Sequence, residues 1–132
     1  MDNILQSWAP RVLSILRIIT GLLFLQYGFA KLLKWPPVPM FEKVQLFSLY
    51  GAAGTLELIG GILLILGLFT RPVAFIVCGE MAFAYFLGHA GRNFFPIING
   101  GNLAIEFCFV FLYLTFAGAG PLSLDAALLR KK

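Results

Sequence analysis

Four long runs of apolar residues follow one another along the chain, and each run ends at proline, glycine or charged residues. They cover roughly residues 12–33, 49–69, 72–91 and 102–119. A helix of about 20 apolar residues crosses about 30 Å of hydrocarbon, and the runs lack the apolar/polar alternation of barrel strands. The pattern predicts an all-α integral membrane protein, an antiparallel up-and-down four-helix bundle that forms one domain over residues 1–132.

Breaker residues set the predicted ends of these spans. Pro10 stands just before the first span, and the pair Pro36-Pro37 prevents its continuation. Thr70-Arg71-Pro72 predicts a tight turn, and Asn99-Gly100-Gly101 interrupts the chain before the fourth span. The sequence therefore predicts short connections between spans two and three and between spans three and four.

Composition supports a lipid environment. The chain is 60% hydrophobic and only 12% charged, whereas soluble domains average about 25% charged residues. A globule of 132 residues has too little interior to hide so much apolar surface. The net charge of +4 then suits a membrane surface, so the expected partner is the lipid bilayer and not nucleic acid.

Basic residues predict the orientation. With four spans both termini lie on one side, and that side has the larger share of arginine and lysine: Arg11, Arg71, Arg130, Lys131 and Lys132. The opposite side has Lys34, Lys43 and Arg92. The excess predicts that both termini of this multi-pass protein are cytoplasmic.

Each of the last three spans contains one glutamate, Glu57, Glu80 or Glu106, and the first contains Arg17 and Lys31. Helical spacing places these charges on the same faces as small residues, so we expect the polar faces to meet inside the bundle. Depth along the helices predicts two ion pairs. One joins Arg17 to Glu80, and the other joins Lys31 to Glu57 or Glu106, which leaves one carboxylate without a fixed cation.

Such groups either fix the register of the helices or form a ligand or proton site. For the second interpretation, Asn102 and Tyr113 share the face of Glu106, and the glycines at 28, 54, 60 and 61 are expected to leave room beside the charges. The predicted ligand site consists of Tyr27, Lys31, Glu57, Asn102, Glu106 and Tyr113.

The remaining reactive side chains are predicted to be structural. Cys78 and Cys108 lie in different halves of antiparallel spans, with a depth difference on the order of 10 Å, which excludes a disulfide. His89 stands at a span end, where an interfacial role is the commoner one. The sequence contains no metal motif, so we predict no metal site.

Five segments resemble the DoxX family: GLLFLQYGFAKL (21–32), ELIGGILLILGLFTRP (57–72), EMAFAYFLGHA (80–90), FFPIINGGNLA (94–104) and FLYLTFAGAGPLSLD (111–125). The resemblance implies a small bacterial inner-membrane protein with four helices. Some members of the family are associated with thiosulfate oxidation coupled to quinone, and others with redox homeostasis.

Carried over by position, the family's polar residues correspond to Lys31, Glu57, Glu80, His89 and Asn99. Two positions depart from the family pattern. Tyr27 stands where many members have histidine, and Asn102 stands where many have glutamate, with Glu106 one helical turn later.

Three functions remain open at this point. The first is a redox-linked subunit that binds quinone or another small lipophilic molecule, without a covalently bound cofactor, and works with membrane or soluble redox partner proteins. The second is a carboxylate-dependent carrier of a small hydrophobic or weakly acidic solute. The third is a non-enzymatic membrane scaffold for redox partners. Whether the protein is an enzyme, and whether it forms a homo-oligomer, are open in all three.

Overall fold

The structure, a computed structural model, describes residues 1–130 and the side chains of residues 1–129, and this part of the chain contains helices and no strand. The helices are α1 (Asp2–Gly28, continued by a π-helical turn, Phe29–Leu33), a 3₁₀ turn (Pro39–Phe41), α2 (Leu49–Leu66), α3 (Thr70–Gly88), α4 (Pro96–Asn99), α5 (Asn102–Ala117) and α6 (Leu124–Arg130).

Three helices are long and apolar enough to cross a bilayer, and these are Asp2–Leu33, Leu49–Leu66 and Thr70–Gly88. The helix Asn102–Ala117 is apolar but shorter. The prediction of an all-helical membrane bundle is therefore confirmed, with three full-length spans and a shorter fourth apolar helix. The orientation of the termini stays a prediction, and Lys131 and Lys132, which contributed to it, lie outside the described residues.

Helix α1 starts ten residues before the predicted span. Pro10 lies inside the helix, so the expectation that it precedes the helix was wrong. A proline in a helix removes one hydrogen bond to the carbonyl four residues earlier. Here that carbonyl belongs to Gln6, in a segment where residues 1–12 are all exposed. Surrounding polar molecules can satisfy it there, so the helix continues through the proline.

Glycines bring α1 and α2 into close contact. A Cβ atom added at Gly28 would lie 2.6 Å from the backbone nitrogen of Leu58, and one at Gly61 would lie 2.9 Å from Cα of Leu25. Gly54 faces Cβ of Lys31 at 3.0 Å. These glycines were expected to leave room beside the charges, but the neighbouring helix fills that room instead. Small residues act here as the contact surface of two backbones.

An aromatic core joins α1 to α5. The ring of Phe24 lies 5.6 Å from that of Phe107 and 4.9 Å from that of Phe111, both edge-on. Edge-on aromatic pairs at this spacing are favourable beyond the area that they bury. The core cluster as a whole consists of Phe24, Leu64, Ala74, Val77, Met81, Phe107, Phe111 and Leu114.

Candidate functional site

A buried ion pair between α1 and α2 forms the centre of the candidate site. Lys31 Nζ lies 2.7 Å from Glu57 Oε1, and the two side chains are 10% and 3% exposed. Among the side chains of residues 1–129 this is the one ion pair within 4.0 Å. The prediction that Lys31 pairs with Glu57 or Glu106 is thus resolved in favour of Glu57.

Local backbone geometry orients Lys31. The residue lies in the π-helical turn Phe29–Leu33, a conformation that is rare and frequently found at functional sites. The turn ends at Lys34, whose φ of 57° is left-handed. The ammonium of Lys34 donates to the carbonyls of Lys31, Phe41 and Val44 at 2.7–2.9 Å, and these bonds fasten the following loop to the end of α1.

Glu80 of α3 is the second carboxylate of the site. Gly60 faces Val77 across the α2–α3 contact, with 3.0 Å from an added Cβ to Val77 Cγ1. Glu57 lies one turn before Gly60 in α2, and Glu80 lies one turn after Val77 in α3. Because the two helices are antiparallel, both steps lead in the same direction along the bundle. The two carboxylates therefore lie at one depth and on facing surfaces, and Glu80 interacts electrostatically with both Glu57 and Lys31.

Three carboxylate oxygens in this region have no hydrogen-bond partner among the described residues. They are Glu57 Oε2 and both oxygens of Glu80, and all three are buried. One ammonium thus faces two carboxylates, which is the surplus of acid that the sequence predicted. The surplus group is Glu80, however, and not Glu106.

Tyr27 completes the group, which we call the carboxylate cluster: Tyr27, Lys31, Glu57 and Glu80. The ring of Tyr27 lies 6.5 Å from that of Phe41 and 6.3 Å from that of Phe107. Lys31 Nζ lies 5.2 Å from the centre of the Phe41 ring, a distance that suits a cation–π contact. The cluster is consequently polar at its centre and walled by aromatic rings.

Three predicted site residues lie elsewhere. Asn102, Glu106 and Tyr113 are exposed, on the surface of α5 that faces away from the bundle. The inward face of α5 is the one with Phe107 and Phe111, which are 6% and 0% exposed. The expectation that polar residues mark the inward face was wrong for α5, because this helix is apolar nearly all round and aromatic packing determines its rotation.

The prediction of an ion pair between Arg17 and Glu80 was also wrong. Arg17 is fully buried, but its guanidinium donates to backbone carbonyls. Nε donates to Leu64 O at 2.8 Å, Nη2 donates to Leu122 O at 2.6 Å, and Nη1 donates to Ala119 O. Arg17 therefore joins the end of α2 to the segment that follows α5.

The physical reason is a difference in depth between the two residues. In the structure Arg17 lies beside Leu64, at the end of α2, whereas Glu80 lies beside Glu57, about two turns farther into the bundle. Carbonyls at the end of a helix carry partial negative charge, and they take the place of the expected carboxylate.

His89 and Asn99 form a separate group at the end of α3. His89 Nδ1 lies 3.0 Å from the carbonyl oxygen of Asn99, and the Asn99 side chain donates to the Tyr85 hydroxyl at 3.2 Å. Asn99 Oδ1 accepts from the backbone nitrogen of Gly101 at 2.8 Å. Asn99 is 2% exposed and saturated by these bonds, which indicates a structural role in the connection from α3 to α5.

The two cysteines lie side by side, contrary to the predicted difference in depth. Their sulfur atoms are 3.7 Å apart. The register explains this, because an added Cβ at Gly101 would lie 2.6 Å from the Tyr85 ring. Seven residues, or about two helical turns, lead from Tyr85 back to Cys78 and from Gly101 forward to Cys108. The short connection between the helices holds both thiols at one depth.

Sequence reasoning missed Phe41, whose ring contacts the Lys31 ammonium, and Lys34, which holds the loop between α1 and α2 against the end of α1. Neither residue lies in a span, and neither belongs to a recognisable motif. The signal available was the long connection of residues 34–48, since long ordered connections often carry functional residues.

Comparison with known proteins identifies the family. The profile of the DoxX family matches residues 12–90, a range that includes all four residues of the carboxylate cluster. The chain belongs to the DoxX family. This DoxX protein is also similar to a protein of Haemophilus influenzae described as uncharacterized, with 42% identity over 140 residues that cover 98% of this chain and 99% of that protein. No solved structure matches the chain.

Proposed function

We propose that this DoxX protein binds a small lipophilic redox molecule at the carboxylate cluster, with a quinone as the best candidate, in a bacterial inner membrane. The observation that carries the proposal is the set of three buried carboxylate oxygens that have no hydrogen-bond partner in the described part of the chain, next to one ammonium. An uncompensated charge inside a bilayer costs roughly 2.5–3.5 kcal/mol on insertion scales. A proton, or a ligand that donates to these oxygens, offsets that cost.

The donors in the cluster suit the carbonyl oxygens of a quinone. Lys31 has three N–H donors and gives one to Glu57, so two are available to a ligand. Glu80 in its protonated form offers a further donor, and the Tyr27 hydroxyl offers another. The rings of Phe41 and Phe107, which both lie next to Tyr27, supply the apolar wall that small-molecule sites usually have.

The proposed role in redox chemistry is to hold the head group and to supply protons. Conversion of a quinone to a quinol takes two electrons and two protons. In this proposal Glu80 gives one proton as an acid, is protonated again from the aqueous phase and gives the second, while Lys31 and Tyr27 orient the carbonyl oxygens. The electrons come from a membrane or soluble redox partner, so the protein acts as the quinone-binding subunit of the pair.

One observation also favours a carrier. Among the described residues Glu80 has no cation of its own, and a carboxylate in that position can take up and release a proton as a solute passes. This second candidate needs no electron donor. It predicts proton-linked movement of a weakly acidic or hydrophobic solute across liposomes that contain the protein.

The test uses two substitutions of Glu80 and a matched control. Glu80→Leu removes the carboxyl group and keeps an apolar side chain, and quinone that copurifies in mild detergent should fall well below the wild-type amount. Glu80→Gln keeps a hydrogen-bond donor but has no acidic proton, so it should still bind quinone and fail to support its reduction. Glu106→Leu, at an exposed position of α5, should retain wild-type quinone.

Mass spectrometry of the extracted lipids measures quinone per protein, and helical content by circular dichroism confirms that each variant is folded. Full quinone occupancy in Glu80→Leu would refute the assignment of the site. Wild-type protein without quinone, together with solute flux that Glu80→Gln abolishes, would favour the carrier. Neither quinone nor flux would favour the scaffold.

A further inference from the structure

Cys78 and Cys108 form a pair of thiols at the contact between α3 and α5. Their sulfur atoms are 3.7 Å apart, and both residues are half-buried free cysteines. Both pack against the hydrophobic core cluster. Neither thiol takes part in the carboxylate cluster, so the function proposed above leaves the pair unused.

We propose that Cys78 and Cys108 are a redox-active dithiol that a lipid-soluble quinone oxidises to an intramolecular disulfide. The proposal rests on the proposed function, because it takes the quinone as the oxidant. It also adds to that function, since it makes the protein itself a source of electrons for the quinone.

The geometry allows the bond to form with little movement. A disulfide requires about 2.05 Å between sulfur atoms, so the sulfur atoms must approach by roughly 1.7 Å. Each cysteine has a single side-chain torsion, and a change in one or both can bring the sulfur atoms together. The helices are already held in the necessary register by the packing of Gly101 on Tyr85.

The reaction balances with quinone as the oxidant. Both S–H bonds break and one S–S bond forms. The two electrons and two protons that the thiols release convert the quinone to a quinol. A small dithiol in excess returns the pair to its reduced state by thiol–disulfide exchange, so the pair can cycle.

The thiols are placed for an oxidant that comes from the lipid. The neighbouring residues along the two helices include Phe75 and Phe109, which are 65% and 63% exposed on the outer surface of the bundle. That surface faces lipid when α3 and α5 are in a bilayer. Quinones dissolve in the hydrocarbon, whereas charged water-soluble oxidants do not enter it.

The experiment uses full-length protein in liposomes. Reduced protein is treated with decylubiquinone under nitrogen, denatured, and labelled with a maleimide that adds mass to each free thiol. We expect loss of both labels, formation of about one quinol per protein, and recovery of both labels after dithiothreitol. Cys78→Ser and Cys108→Ser should each keep the remaining label and form no quinol.

Two further measurements separate this inference from the proposed function. Diamide, a membrane-permeant thiol oxidant, tests proximity alone, and bound quinone is quantified in the same samples. Bound quinone with free thiols, where diamide does form the disulfide, would overturn the inference and leave quinone binding intact. Thiols oxidised by decylubiquinone in Glu80→Leu protein without bound quinone would support the dithiol and overturn the carboxylate cluster as its site. Free thiols after diamide would overturn the pairing itself.

Discussion

Replacement of Arg17 by methionine tests how a buried guanidinium is stabilised without a carboxylate. The substitution keeps an unbranched side chain of similar length and removes hydrogen bonds to the carbonyls of Leu64, Leu122 and Ala119. These bonds link α1 to the end of α2 and to the segment before α6. We expect a large loss of stability with little change in helical content.

The magnitude follows from two opposing contributions. Hydrogen bonds from a charged group contribute about 1.5–3 kcal/mol each, so three of them sum to roughly 4.5–9 kcal/mol. Removing the guanidinium also removes its desolvation penalty, which is several kcal/mol for a buried ion. Leu64 O and Ala119 O each keep a second donor, Gly67 N and Ser14 Oγ. The net expectation is a decrease of about 2–4 kcal/mol in the free energy of unfolding.

The assay is unfolding in mixed micelles by titration with dodecyl sulfate, followed by circular dichroism. The matched control is Arg11→Met. Arg11 is exposed and its guanidinium lies 4.9 Å from the Trp8 ring, a contact that contributes about 0.5–1 kcal/mol at an exposed site. If Arg17→Met were no less stable than Arg11→Met, the hydrogen bonds to the carbonyls would not be the source of stability.

Three other substitutions give distinct outcomes in the same assay. Lys31→Met leaves Glu57 without its ion partner and should lower the free energy of unfolding by about 3–5 kcal/mol. The double variant with Glu57→Gln should recover part of that loss, and no recovery would argue against the ion pair. Gly28→Val places a side chain against the backbone of Leu58 and should cost about 1–3 kcal/mol by overpacking; unchanged stability would mean that α1 and α2 separate easily. Asp125→Asn weakens the carboxylate contacts to two backbone nitrogens at the start of α3. It should lower the free energy of unfolding by about 1 kcal/mol, and unchanged stability would contradict a capping role for Asp125.

The helix boundaries near glycine and proline were predicted in part. The break at 99–101 was predicted from Asn99-Gly100-Gly101, and Gly100 does adopt a positive φ. The turn between α2 and α3 was predicted at Thr70-Arg71-Pro72 but lies at residues 67–69, where Gly67 and Phe69 have positive φ, and Thr70 is already the first residue of α3. The start of α1 was not predictable in this way, because Pro10 interrupts a single hydrogen bond in a segment that tolerates the loss. A breaker residue predicts a boundary well only where the unpaired carbonyl is hidden from water.

The candidate site was predicted in part. Lys31 and Glu57 were identified from a surplus of acid among apolar residues, and they form an ion pair. Tyr27, which was predicted to line the site, lies near the same Phe41 ring as Lys31. The second carboxylate of the site is Glu80 and not the predicted Glu106. The packing of Phe107 and Phe111 determines which face of α5 points into the bundle, and Glu106 lies on the opposite face. The spacing of polar residues along the sequence predicts the buried face poorly for a helix that is apolar on every side, since its polar residues are too few to define a face.

The unequal lengths of the helices have a consequence for the membrane around the bundle. At about 1.5 Å per residue, α5 with its 16 residues is about 24 Å long and α2 with its 18 residues about 27 Å, both below the ~30 Å of an average hydrocarbon core. The lipid beside α5 must therefore thin locally, at a cost of fractions of a kcal/mol for each ångström of mismatch. The stability of the bundle should therefore depend on the acyl chain length of the lipids and should be highest in bilayers of short-chain lipids.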